Sequence, residues 1–327
     1  GIEPEFYESE YAQYFQDAMF PDETLLSFKP DIVFIHTTNR NVTDWPEMTD
    51  TTEQIDEKLH TEINRFTAMW KSIAEKFHCP IIQNNFEMPL YRLLGSRDAW
   101  DIHGRTNFLT RLNEAFYAYA RENESFYIHD LNFVSADYGL KEWSNPLFWN
   151  MYKYAMCFEA IPSFAFSVSH IIKSIFGKNK KALALDLDNT LWGGVVGDDG
   201  VDGIEIGQET GVSQSYYEFQ TYVKQLKSLG IVLTVCSKND HENAIAGLNH
   251  PEGALRPDDF VIIKANWENK DRNIAETAAE LNILPDSIPQ KRKVSGKNIQ
   301  RVTIRWTLIT VCSILVFKRV WRLPIFC

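Results

Sequence analysis

The chain has 327 residues, enough for two hydrophobic cores of ordinary size, and carries 44 acidic against 33 basic residues for a formal charge of −11. That balance argues against a general nucleic-acid binder, which needs clustered Lys and Arg, so no nucleic-acid partner is expected. Five cysteines with no Cys-x-x-Cys spacing, and an acidic start without a basic region and apolar run, point away from a disulfide framework, a thiolate zinc site or a secretion signal and toward a cytoplasmic protein.

In chain order, the first strand predicted is Asp31 to Ile35, after Lys29-Pro30. A long helix follows, with Ile55, Leu59, Ile63, Phe66, Trp70, Ile73 and Phe77 on one stripe, a capping-box start at Thr51 to Gln54 and a stop at Cys79-Pro80. The strand Ile81-Ile82, a helix over Arg105 to Arg121 and a strand at Phe126 to Ile128 repeat the alternation of an open parallel sheet. A linker at Gly177 to Lys181 separates this half from a second one. There the pattern predicts a strand at Ala182 to Leu187, a helix carrying Phe219, Tyr222, Val223 and Leu226 closed by Gly230, and a strand at Ile231 to Cys236. A short helix near Glu242 to Leu248, a strand at Phe260 to Ile263 and a helix through Ile274, Ala278 and Leu281 complete it.

Residues 288–327 break the pattern, with nine Lys or Arg and no Asp or Glu, whereas the rest of the chain carries a net −20. The apolar run Trp306 to Phe317 is too short for a membrane span, which needs about 20 residues, and membrane attachment is not expected. The fold class expected is α/β, with two doubly wound parallel-sheet domains.

The chemistry concentrates at Asp186-Leu187-Asp188-Asn189-Thr190, directly after a short apolar strand. Ligands of open parallel sheets bind at the carboxyl ends of strands, so both carboxylates emerge at the functional edge. One can attack phosphorus to give an aspartyl-phosphate, while the other protonates the leaving oxygen and later activates water. Carboxylates this close repel, which a bound Mg²⁺ would relieve. Only 46 residues separate Thr190 from Ser237, leaving no room for an inserted cap.

The stretch Lys181-Ala-Leu-Ala-Leu-Asp-Leu-Asp-Asn-Thr-Leu-Trp-Gly-Gly-Val-Val-Gly-Asp-Asp-Gly200, with Val235-Cys-Ser-Lys-Asn-Asp240 and Ala265-Asn-Trp-Glu-Asn-Lys270, resembles the FkbH-like domain of the haloacid dehalogenase (HAD) superfamily. The resemblance implies Asp186 as nucleophile and Asp188 as general acid/base, with Mg²⁺ held by Asp186 and the Asp188 backbone carbonyl. It implies Lys270 as the charge-neutralising lysine, ahead of Lys264, and Thr190, Ser237, Lys238 and Asn239 as substrate-binding positions, with the Ser237 hydroxyl on a phosphate oxygen. It also implies a phosphorylated three-carbon substrate, 1,3-bisphosphoglycerate, whose glyceryl unit passes to an acyl carrier protein.

The first half, with Lys29-Pro-Asp-Ile-Val-Phe-Ile-His-Thr-Thr-Asn39, is similar to the SGNH-hydrolase-like domain of the same family, Asn39 matching its oxyanion asparagine. No Gly-Asp-Ser block or Asp-x-x-His accompanies it, so scaffolding or substrate delivery is expected there rather than hydrolysis. The domains expected are residues 1–176, lacking a first strand, residues 181–287, an incomplete HAD-like domain, and a basic tail over 288–327. That tail stands where the family places a further strand and an Asp-Asp pair for Mg²⁺. The loss of every acid at that point reads as a shift of frame, and the tail is expected to be disordered, aggregation-prone or loosely packed on a sheet edge. Two readings stay open beside the transferase: an impaired fragment or binding module, and a plain small-molecule phosphatase.

Overall fold

The structure is a computed structural model and describes residues 4–10, 12–289 and 314–319. It divides into two units, Gly1–Ile175 with Val302–Cys327, and Phe176–Arg301. Eight strands are described: β1 (Pro4–Glu8), β2 (Ile32–Ile35), β3 (Ile81–Asn84), β4 (Phe126–His129), β5 (Ala182–Leu185), β6 (Val232–Ser237), β7 (Ile262–Ala265) and β8 (Ile314–Arg319). No helix among the described residues is long and apolar enough to cross a membrane.

In the first unit the sheet order is β1-β8-β2-β3-β4, with β2, β3 and β4 mutually parallel. All four residues of β2 are buried, as in a strand covered on both faces. The helix Thr52–Phe77 begins with the capping box that the sequence predicts, Thr51 and Gln54 exchanging side chain to backbone bonds. It ends where His78 turns left-handed at φ 50°. Its apolar stripe delivers Phe66, Met69 and Trp70 to a core shared with Phe86, Phe108, Leu112 and Phe116. There the Trp70 and Phe116 rings meet edge to face at 4.7 Å.

One expectation about the tail needs correction. The segment Ile314–Arg319 is not on a sheet edge: β8 pairs antiparallel with β1 on one side and β2 on the other, Glu5 standing opposite Lys318 in register. A central strand satisfies its backbone groups on both sides, which a loose edge segment would not. Residues 290–313 and 320–327, which carry most of the expected shift of frame, lie outside the described residues.

Two imidazoles are sealed at the carboxyl ends of β2 and β4. His36 and His129 are 3% and 0% exposed and flank the Phe164 ring at 5.0 and 4.9 Å. Burial lowers the pKa of His36 to about 4, against a hydrogen bond between Nδ1 and Asn84 Oδ1. Burial, then the neighbouring His36, lowers that of His129 to about 3. Both are neutral in the folded state and bind protons more readily when unfolded, so the stability they contribute is present above about pH 6.5 and is lost as pH drops from there through about 4. The loss is on the order of 3 kcal/mol for His36 alone. The buried Glu87 carboxyl, raised to about 8, acts in the opposite sense over the same range, so the comparison is between variants. Urea unfolding at pH 7.5 and pH 5 is expected to show His129→Phe losing less stability, or gaining more, than the parent chain on acidification; an identical pH dependence in the two would remove His129 from this role.

The second unit is smaller, with parallel strands in the order β5-β6-β7. Its core gathers Leu185, Leu187, Trp192, Val223, Leu233, Val235 and Leu248. Past the helix Lys270–Glu280 the chain returns to the free edge of β5. There the Lys181 and Ala184 amides donate to the Ser287 and Pro289 carbonyls at 3.0 and 3.3 Å, and Ile288 packs on Ala182 and Ala184.

Candidate active site

β5 ends at Leu185, two residues earlier than the sequence predicts, so Asp186 is the first residue beyond the strand. In the turn that follows, Asn189 takes a left-handed φ of 53° and its side chain accepts from the Gly194 amide at 3.2 Å. Gly194 itself has φ +90°, a conformation that glycine alone adopts without strain. This turn bends the chain back into a bridge between Asp188 and Trp192.

The Asp186 carboxylate is bracketed from the next two strands. Ser237, the last residue of β6, donates its hydroxyl to Oδ1 at 2.8 Å, and the Leu187 amide donates to the same oxygen at 3.1 Å. Lys270 places Nζ 2.5 Å from Oδ2, with the two side chains 26% and 25% exposed. Lys270 is the first residue of a helix whose N-cap is Asn269. A cation there opposes the helix dipole, and its pairing with Asp186 offsets that cost.

Lys264 lies within β7 because that strand runs later than predicted, over Ile262–Ala265. Its ammonium pairs with Glu280 at 2.6 Å and Glu276 at 3.3 Å, and the bond to Glu280 is the largest cause of its raised pKa. It is thereby committed to the helix beside it.

Other expected site residues divide. Lys238 is exposed beside buried Ser237, and Thr190 is half-buried with its amide closing the turn onto the Leu187 carbonyl. Asn239, expected to touch substrate, is turned inward: Nδ2 donates to Asp188 Oδ2 at 2.9 Å and Oδ1 accepts from the Asp240 amide at 2.9 Å. It is 5% exposed and braces the second aspartate. The sequence reading missed Trp192, whose Nε1 donates to Asp188 Oδ1 at 3.0 Å; a tryptophan four residues after the aspartate, in a glycine-rich flap, was the available signal. It also missed Trp267, 70% exposed, whose Nε1 reaches Asp240 Oδ1 at 3.0 Å and ties the β6 and β7 loops together. Asp186 and Asp188 offer a carboxylate and a backbone carbonyl, hard oxygen donors suited to Mg²⁺. Among the described residues no group of three or more His, Cys, Asp or Glu clusters as a metal site.

In the first unit, Asn39 opens a short turn after β2, and its amide donates to Glu87 Oε2 at 3.3 Å. Burial pushes the Glu87 carboxyl up to about 8, leaving it mostly protonated at neutral pH. Glu87 had no signal in the sequence beyond its place after β3.

Comparison with known proteins matches the FkbH N-terminal domain over residues 1–173. The chain belongs to the FkbH family. A crystal structure of the N-terminal part of a Bacteroides fragilis protein, containing a phosphatase domain and complexed with Mg, is 31% identical with a TM-score of 0.77, over 86% of this chain and 74% of that one. No curated protein matches. This FkbH chain therefore carries its family's N-terminal domain followed by a second unit, both α/β with parallel strands, and most of it is similar to a protein that contains a phosphatase domain.

Proposed function

We propose that this FkbH chain is a HAD-type phosphatase or phosphotransferase acting through an aspartyl-phosphate at Asp186. The observation that carries the reading is the Asp186 carboxylate, just past β5, held between the Ser237 hydroxyl at the end of β6 and the Lys270 ammonium at the start of the helix after β7. Phosphoryl transfer is mostly positioning and charge stabilisation, and these groups supply a nucleophile, a donor and a cation. Asp186 attacks phosphorus as its bond to the leaving oxygen breaks. Asp188 gives the leaving oxygen a proton and takes one back from the water that releases phosphate. Lys270 offsets the charge of nucleophile and phosphate, and Ser237 passes its hydrogen bond from Asp186 to a phosphate oxygen. Mg²⁺, held by the Asp186 carboxylate and the Asp188 carbonyl, would neutralise the incoming phosphate.

The substrate follows from the family resemblance: 1,3-bisphosphoglycerate, with an acyl carrier protein as acceptor of the glyceryl unit. The carrier thiol attacks the C1 carbonyl carbon and the C1 phosphate leaves with the C–O bond, while Asp186 takes the phosphoryl group from the C3 ester and water then releases it as inorganic phosphate. Removal of phosphate from the C3 ester with no thioester formed gives the plain phosphatase instead. Incubation with 1,3-bisphosphoglycerate and a carrier protein bearing its phosphopantetheine arm distinguishes them. A glyceryl mass increment on the carrier is expected, whereas phosphate release with an unmodified carrier supports the phosphatase.

The two lysines provide a sharper test of the site. Lys270→Ala is expected to lower kcat by about 100-fold or more, because it strips the charge partner from Asp186. Lys264→Ala is expected to change it less than about threefold, since it breaks only partly exposed ion pairs. Steady-state phosphate release with Mg²⁺ measures both, and equal losses would remove Lys270 from its role.

A further inference from the structure

Asp188 is held differently from Asp186. Its Oδ1 accepts two hydrogen bonds, from Trp192 Nε1 at 3.0 Å and the Val196 amide at 3.1 Å. Its Oδ2 accepts one, from Asn239 Nδ2 at 2.9 Å. A carboxylate oxygen has two lone-pair sites, so Oδ1 is filled and Oδ2 keeps one open.

The donor that fills Oδ1 is firmly seated. Trp192 is 1% exposed within the core of the second unit. Its ring lies so close to the helix His241–Leu248 that a Cβ added to Gly247 would meet ring atoms Cη2 and Cζ2 at 2.7 and 2.8 Å. The side chain at position 247 must therefore be absent for the indole to lie where it does. Apolar packing alone would be served by Phe or Leu; a buried indole brings an N–H that must find an acceptor, and here it finds Asp188.

We propose that Trp192 is a positioning residue for phosphoryl transfer: its indole, seated by Gly247, saturates Asp188 Oδ1 and leaves Oδ2 as the oxygen that handles the proton. The proposal rests on the reading of Asp188 as general acid/base. In the first half-reaction the bond from Asp186 to phosphorus forms, the bond from phosphorus to the leaving oxygen breaks, and the proton on Oδ2 goes to that oxygen. In the second, water attacks the aspartyl-phosphate, its proton returns to Oδ2, and the Asp186 carboxylate is released with inorganic phosphate. Without the indole, the Val196 amide alone remains on Oδ1, which then has an open lone-pair site like that of Oδ2, so the proton is no longer directed to one oxygen.

A misplaced acid harms a poor leaving group far more than a good one. The full chain is assayed at saturating Mg²⁺ with an aryl phosphate, whose phenolate departs without a proton, and an alkyl phosphate, whose alkoxide needs one. Hydrolysis of the aspartyl-phosphate is common to both esters, so the first half-reaction is read by itself, as kcat/KM and as single-turnover release of the alcohol or phenol. Trp192→Phe is expected to lower both on the alkyl ester on the order of 10- to 100-fold and on the aryl ester less than about threefold. Gly247→Ala, which keeps the indole but displaces it, is expected to show the same pattern. Equal losses on the two esters in this half-reaction would overturn the proposal. Asp188→Asn separates the two levels of the argument: if it slows the first half-reaction equally on both esters, the acid reading itself fails. If it discriminates between them while Trp192→Phe does not, only the role of Trp192 falls. A measurement free of catalysis stands beside these. The Trp192 indole N–H, followed by NMR hydrogen exchange in the full chain, is expected to exchange slowly and to speed up at least about tenfold in Asp188→Ala. Fast exchange in the parent chain would rule out the contact on which the proposal depends.

Discussion

Asp186→Asn is expected to remove phosphoester turnover, lowering kcat by about four orders of magnitude or more, because the neutral amide oxygen is too weak a nucleophile to attack phosphorus. The replacement is nearly isosteric, so the surroundings should persist. The Ser237 hydroxyl still has an acceptor in the amide oxygen, and Lys270, a quarter exposed, retains access to solvent. The unfolding midpoint is therefore expected to move little while activity disappears. Slow deamidation of the asparagine would regenerate aspartate, so Asp186→Ala is run beside it. Acid-quenched parent enzyme should carry phosphate on the peptide containing Asp186, and both variants should carry none. Turnover above background in the alanine variant would assign the nucleophile to another residue.

What the sequence made legible, and what it hid, divides by how far apart the interacting residues lie. Local signals read well: the capping box at Thr51, the turn at Gly230 and the apolar strand before Asp186 each depend on a few neighbouring residues. The lysine question was partly legible, since Lys270 opens a helix, but the strand shift that places Lys264 in β7 and hands it to Glu276 and Glu280 was not. The environment of Asp188 was illegible for a different reason. Its donors come from positions 192, 196 and 239, and nothing in a linear motif says that an asparagine faces an aspartate rather than a ligand. The same holds for β8, whose pairing partners lie some three hundred residues away in the chain. The helices over residues 131–175 also went unread, because Asp130, Asn145 and Pro146 start them but their apolar positions leave Phe133, Leu147 and Phe166 exposed.

The segment after Leu284 carries the other large effect. The Lys181 and Ala184 amides donate to the Ser287 and Pro289 carbonyls, so the chain begins to run along β5 in the same direction as that strand. Proline at 289 has no N–H to return to the ladder, which weakens the pairing just where it starts. The Asp-Asp pair that the family resemblance puts after this segment has no counterpart in the sequence, which reads Lys291 and Arg292 and holds no acid from there on. Octahedral Mg²⁺ seeks oxygen ligands, which lysine and arginine side chains do not offer. The double variant Lys291→Asp with Arg292→Asp is therefore expected to bind Mg²⁺ at least about tenfold more tightly in isothermal titration and to turn over phosphoesters about 100-fold faster than the parent chain. Chelator should return the variant to its starting rate. Equal Mg²⁺ affinity and equal turnover in the two proteins would mean that the basic segment is no impediment and that the metal draws its remaining ligands from water and substrate alone.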